Sequence, residues 1–85
     1  MKTYHIEVTQ ADINSGLKVD CLRCPIARAM TRTLTTPCNV GCCGWGTTDW
    51  VDRKWPVACR SQIIDFIQAF DNGNPVKPFT FKIRA

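Results

Sequence analysis

No apolar run in this chain approaches the ~18 consecutive residues that a membrane-spanning helix needs, so a helical span is excluded. The opening residues Met1-Lys2-Thr3-Tyr4-His5-Ile6-Glu7-Val8 alternate polar and apolar, unlike the continuous apolar block of a signal peptide. The expectation is a protein that stays in the cytoplasm where it is made. Histidine is almost missing: His5 stands alone on a strand-like stretch and reads as a surface or edge residue. No Ser or Cys occupies a recognised nucleophile motif, and Gly41, Gly44 and Gly46 lack the Lys-Ser/Thr ending of a phosphate-binding loop. The acids Glu7, Asp12, Asp20, Asp49, Asp52, Asp65 and Asp71 read as caps, turns and solvated faces. No enzymatic activity and no cofactor are expected. Repeats, linkers and low-complexity segments are also lacking, which leaves a single domain over 1–85.

What is present is a globular balance in 85 residues, 45% of them apolar and 21% charged. A chain of this size buries only about 60–65% of its unfolded surface, so its core is thin. The net charge is +4, and the eleven cations are spread along the chain rather than run together. That distribution permits an anionic partner without demanding one.

Periodicity places the elements. Tyr4, Ile6 and Val8 alternate with polar neighbours as in a half-buried strand, and 10–15, ending at Gly16, reads as a short helical turn. Asp20 and Pro25 mark a helix entry near 21–24, and Ile26, Met30 and Leu34 follow at i, i+4 and i+8. A strand over 39–43, a tight turn at Gly44-Trp45-Gly46 and a returning strand over 47–51 fit the middle. Cys59, Ile63, Phe66, Ile67 and Phe70 line one face of a second helix near 56–72, which Asn72-Gly73-Asn74-Pro75 stops. Phe79, Phe81 and Ile83 alternate along a final strand. The expected architecture is α+β in β-α-β-β-α-β (ferredoxin-like) order, with helices near 21–34 and 56–72 on one face of a mostly antiparallel sheet.

Six cysteines are the most conspicuous local chemistry. Without an export signal the default is free thiols rather than a disulfide framework. Cys21-Leu22-Arg23-Cys24 at a helix start has the form of a redox pair, but lacks the surrounding framework of thioredoxin-type chemistry. A zinc site would draw on Cys21 and Cys24 with two of Cys38, Cys42 and Cys43. Against that stand the adjacent Cys42-Cys43 and the apolar setting of Cys59, which reads as a buried small hydrophobe; no metal is expected.

Trp45, Trp50 and Trp55 fall within eleven residues, beside Arg53 and Lys54. Aromatic and basic groups together serve a nucleotide base with its phosphate, or an acidic protein surface. The glycine–aromatic–glycine start at 44–46 matches the third strand of an RNA-recognition motif. The leading basic residue is absent, however, and Thr47 and Thr48 replace the expected aromatic and Val. The alternative is that the tryptophans fill the core. The candidate partner-binding residues are Trp45, Trp50, Arg53 and Lys54.

Two stretches, Asp20-Cys21-Leu22-Arg23-Cys24-Pro25-Ile26-Ala27 and the run 66–81 containing Phe70-Asp71-Asn72-Gly73-Asn74-Pro75-Val76-Lys77-Pro78-Phe79-Thr80-Phe81, resemble small tailed-phage proteins of unassigned function. The strand-like start and residues 12–16 fit them too, so the resemblance covers about half of the 85 residues. It implies an accessory protein in the cytoplasm of an infected bacterium and carries over no catalytic residue. The leading expectation is a non-enzymatic binding protein that blocks a host protein or sequesters a small anionic signal, counter-defence resting on analogy. A nucleic-acid-binding module with a basic, Trp-rich surface is the first alternative, and a zinc-stabilised adaptor the second. An oligomer is compatible with each of these.

Overall fold

The computed structural model describes residues 2–41, 44–47 and 53–84. Along the chain lie β1 (Thr3–Val8), α1 (Gln10–Ser15), α2 (Pro25–Leu34), β2 (Asn39–Gly41), β3 (Gly44–Gly46), β4 (Arg53–Lys54), α3 (Val57–Asp71) and β5 (Phe79–Arg84). The α+β class is as expected. The single four-stranded sheet is not: the strands divide into an antiparallel β1–β5 ribbon and a separate antiparallel sheet in the order β2-β3-β4. Gly44-Trp45-Gly46 is a strand rather than a turn, pairing with β2 on one side and β4 on the other. Two glycines flanking a large aromatic look like a turn locally, but pairing on both sides overrides that preference. The expected returning strand over 47–51 lies outside the described residues except for Thr47, which belongs to no strand.

Alternation in the β1–β5 ribbon builds the core. Antiparallel register sets Tyr4 against Ile83, Ile6 against Phe81 and Val8 against Phe79. All six therefore share one face, and Ile6, Val8, Phe81 and Ile83 are buried. Thr3, His5, Glu7, Thr80, Lys82 and Arg84 lie exposed on the other face. Both long helices cover the apolar face. From α2 come Ile26, Ala27, Ala29 and Met30, all fully buried. From α3 come Ile63, Phe66 and Phe70, with the Phe66 ring 4.9 Å from that of Phe79. Trp55 closes the seam between ribbon and second sheet, edge-on to Phe81 at 5.9 Å and donating its indole N–H to the Gly41 carbonyl at 2.9 Å.

The helix termini follow local chemistry. Pro25 occupies the first position of α2, not its interior, and Cys24 is the cap: its Sγ accepts from the Ala27 amide at 3.4 Å. The helix thus begins later than residue 21. Asp20 instead caps the preceding turn, its carboxylate accepting from the Leu22 and Arg23 amides at 2.9 and 3.0 Å. At the far end of α3, Gly73 adopts φ 79° and its amide returns to the Phe70 carbonyl at 3.0 Å, the left-handed exit expected of glycine there. Among the described residues no helix is long and apolar enough to cross a membrane.

Asp12 is the one charged side chain buried among the described residues, at 1% exposure. It accepts from the Thr9 amide (3.0 Å) and hydroxyl (3.1 Å), completing a capping box on α1. Arg32 of α2 grips both carboxylate oxygens, at 2.8 and 2.9 Å, and donates to the Glu7 carbonyl at 2.9 Å. Arg28 stands 3.9 Å from the same carboxylate. Burial by itself pushes the Asp12 pKa up, but the Arg32 and Thr9 hydrogen bonds outweigh it and hold the group below its ordinary value of 3.8. A depressed folded-state pKa contributes stability that is present above that ordinary value and lost as pH falls below it. Asp12→Asn, which preserves shape but not charge, is therefore expected to be about 1–3 kcal/mol less stable than the parent at pH 7. The gap should close below pH 3.8, read by urea unfolding of both proteins across pH 2.5–7.

Candidate basic groove

The second sheet meets the ribbon at a groove of about 630 Å³, and four cations line it: Arg53 and Lys54 from β4, Lys82 and Arg84 from β5. Thr3, Trp45, Pro56 and Ile83 complete the lining, with no carboxylate among these residues. The positioning is a matter of backbone. β4 pairs with β3 so that Lys54 stands opposite Gly44 and Arg53 opposite Trp45. Gly44 is required there, because a Cβ on it would collide with the Arg53 carbonyl oxygen. The Arg53 guanidinium lies over the Trp45 ring, 5.4 Å from its centroid, which orients one cation without neutralising it. On β5, inward Phe81 and Ile83 leave Lys82 and Arg84 on the outer face, opposite His5 and Thr3.

Of the residues singled out from sequence, Trp45, Arg53 and Lys54 come together at this groove, and Trp50 lies outside the described residues. Trp45 takes a different role from the one expected. At 2% exposure and covered by Arg53, its ring offers no face for a base to stack on. Trp55 is equally buried. Lys82 and Arg84 were not singled out, although the 79–84 alternation places them together on the outer face. Their approach to β4, some thirty residues away in sequence, has no local signal. The Arg28–Arg32 face of α2 turns toward Asp12.

The thiols do other work. Cys24 and Cys38 are buried, Cys59 is half-buried and Cys21 is exposed; all four are free, and Cys42 and Cys43 lie outside the described residues. Burial pushes the Cys24 thiol up to about 11, against the pull of the Ala27 and Ile26 amides, with the Asp71 and Asp20 carboxylates adding to the rise. Burial raises Cys38 and Cys59 as well. Cys38 donates to the Thr36 carbonyl at 3.3 Å, and Cys59 to those of Pro56 and Lys82 at 3.7 and 3.9 Å. Cys59 is thus only partly enclosed, because the start of α3 sits over the strand backbone rather than over the core centre. Among the described residues no three His, Cys, Asp or Glu side chains converge on one point.

Comparison with protein-family models, with curated proteins and with solved structures finds no match.

Two outcomes follow from this geometry. Gly44→Ala should cost about 1–3 kcal/mol in chemical denaturation by forcing β3 and β4 apart. With thiol-alkylating reagent at pH 8 and mass-spectrometric mapping by residue, Cys21 should be modified well before Cys24 and Cys38, which should react only as the protein unfolds. Equal labelling of Cys21 and Cys24 in the folded protein would contradict their placement.

Proposed function

We propose that this chain is a non-enzymatic binding protein that holds an anionic ligand in the groove between its two sheets. The observation that carries this reading is the convergence of Arg53, Lys54, Lys82 and Arg84 on one concavity, with no acid among the described residues that line it. Like charges brought together repel one another, so the arrangement opposes folding unless a counter-charge is bound. A concave site also focuses the potential of its cations and raises the local concentration of anions. Arginine's planar fork suits phosphate or carboxylate, while lysine adds point charge. With the ring of Trp45 sealed beneath Arg53, the chemistry favours contact with a phosphate or carboxylate group over stacking of a base on Trp45.

The biological setting rests on the resemblance of residues 20–27 and 66–81 to tailed-phage proteins. On that ground the ligand is a small anionic signal of the infected bacterium, sequestered in its cytoplasm by a phage accessory protein. Counter-defence is the class this implies.

The test is calorimetric titration with a panel of nucleoside mono- and triphosphates and a short single-stranded oligonucleotide, at several salt concentrations. A phosphate-bearing small molecule should bind, and Lys82→Gln and Arg53→Gln should each weaken it about tenfold. Affinity that grows with oligonucleotide length and falls steeply with salt would instead favour a nucleic-acid module. Unchanged binding by both folded variants would move the site off the groove.

A further inference from the structure

A second concavity lies on the opposite electrostatic footing. Between the 17–24 loop, the start of α2 and the C-terminal half of α3 is a cleft of about 310 Å³. Cys24, Pro25, Ile26, Val40, Ile67 and Phe70 make its walls apolar, and the charged residues in its lining are Asp20 and Asp71, both acidic. Both carboxylates line the cleft together with the Cys24 thiol.

The mouth carries apolar groups too, beside the exposed cations Lys18 and Arg23. Among the described residues four large hydrophobics are exposed, and three of them, Leu17 (48%), Val19 (81%) and Leu22 (51%), cluster in this loop. The loop is held in place: Leu17 donates to the Arg23 carbonyl at 2.9 Å, and Val40 to that of Cys21 at 2.8 Å. Val19 donates to Asp71 Oδ1 on α3 at 2.9 Å. Val19 adopts φ 52°, a left-handed conformation that a β-branched residue enters only at a cost. In the monomer that strained valine buries almost nothing. A loop held by hydrogen bonds, strained at Val19 and turning three large apolar side chains outward around an apolar cleft is the anatomy of a contact surface whose ordering cost is already met.

We infer that this cleft and its loop dock a protein segment that places an aliphatic side chain in the cavity and a neighbouring Lys or Arg against Asp20 and Asp71. Charge complementarity selects this occupant. Among the described residues the cleft lining offers two carboxylates and no cation, which repels an acidic segment and pairs with a basic one. Asp20 and Asp71 each use Oδ1 for their backbone bonds, so Asn at either position retains those bonds and removes only the charge. The extent of apolar surface beyond the cavity, across Leu17 and Leu22, fits a peptide chain rather than a compact small molecule. This site is separate from the cationic groove, and its failure would leave the anion-binding reading intact.

The test uses isotope-labelled protein titrated with acetyl-Arg-Leu-Leu-Arg-amide, and with analogues in which Glu replaces each Arg or Ser replaces each Leu. Saturable amide shifts should map to Val19, Cys21, Val40 and Ile67, with both analogues at least about fivefold weaker. Asp71→Asn should narrow the gap between the Arg and Glu peptides. Val19→Asn relieves the left-handed strain, so its melting temperature should be equal or higher while peptide affinity falls about threefold or more. A Val19→Asn protein that binds as well as the parent would overturn the inference. So would shifts that map elsewhere, equal binding of the acidic peptide, no saturation, or loop shifts that track protein concentration without peptide, which would assign the surface to a second copy of the chain.

Discussion

The Asp12 carboxylate ties together the parts on which the rest of the molecule is built. Standing on α1, it takes its hydrogen bonds from two places: Thr9 just after β1, and Arg32 on α2, which in turn holds the Glu7 carbonyl at the end of β1. A buried charge without such partners would cost several kcal/mol, whereas one receiving four hydrogen bonds is held in a defined geometry. The network clamps α2 to the start of α1 and the end of β1. Arg32 remains half-exposed, so the pair avoids full desolvation at both ends.

Around that node the core is small and must be filled from every element. The apolar face of the β1–β5 ribbon receives Ile26 and Met30 from α2 and Phe66 and Phe70 from α3, while Trp45 and Trp55 arrive with the second sheet. Because the two sheets are not joined by backbone pairing, side chains carry the contact between them, Trp55 above all. The seam is filled where Trp55 meets Phe81 and open where Arg53 and Lys54 face Lys82 and Arg84. The basic groove is thus a consequence of the divided sheet: strands paired directly would leave no concavity there.

The two concavities differ in the sign of the charged residues that line them. β4 and β5 supply cations to one, and the loop before α2 and the end of α3 supply carboxylates to the other. A net charge of +4 spread along the sequence conceals this polarity, which emerges only when distant segments are brought side by side.

Sequence periodicity by itself determined the elements with strong local patterns. The 59–70 face of α3, the 2-residue alternation of β1 and β5, the short turn at 10–15 and the glycine exit at Gly73 were all legible, because each follows from side-chain repeat or backbone preference within a few residues. Trp45, Arg53 and Lys54 were legible as a group from their proximity in sequence. Tertiary structure alone decided that Gly44-Trp45-Gly46 is a strand, that Trp45 is sealed rather than offered, and that Lys82 and Arg84 complete the groove. The reason is physical. Short strands have weak intrinsic preference and take their identity from partners, and a buried tryptophan and an exposed one have the same local sequence. Where charges some thirty residues apart converge is set by packing, which no short window along the sequence contains.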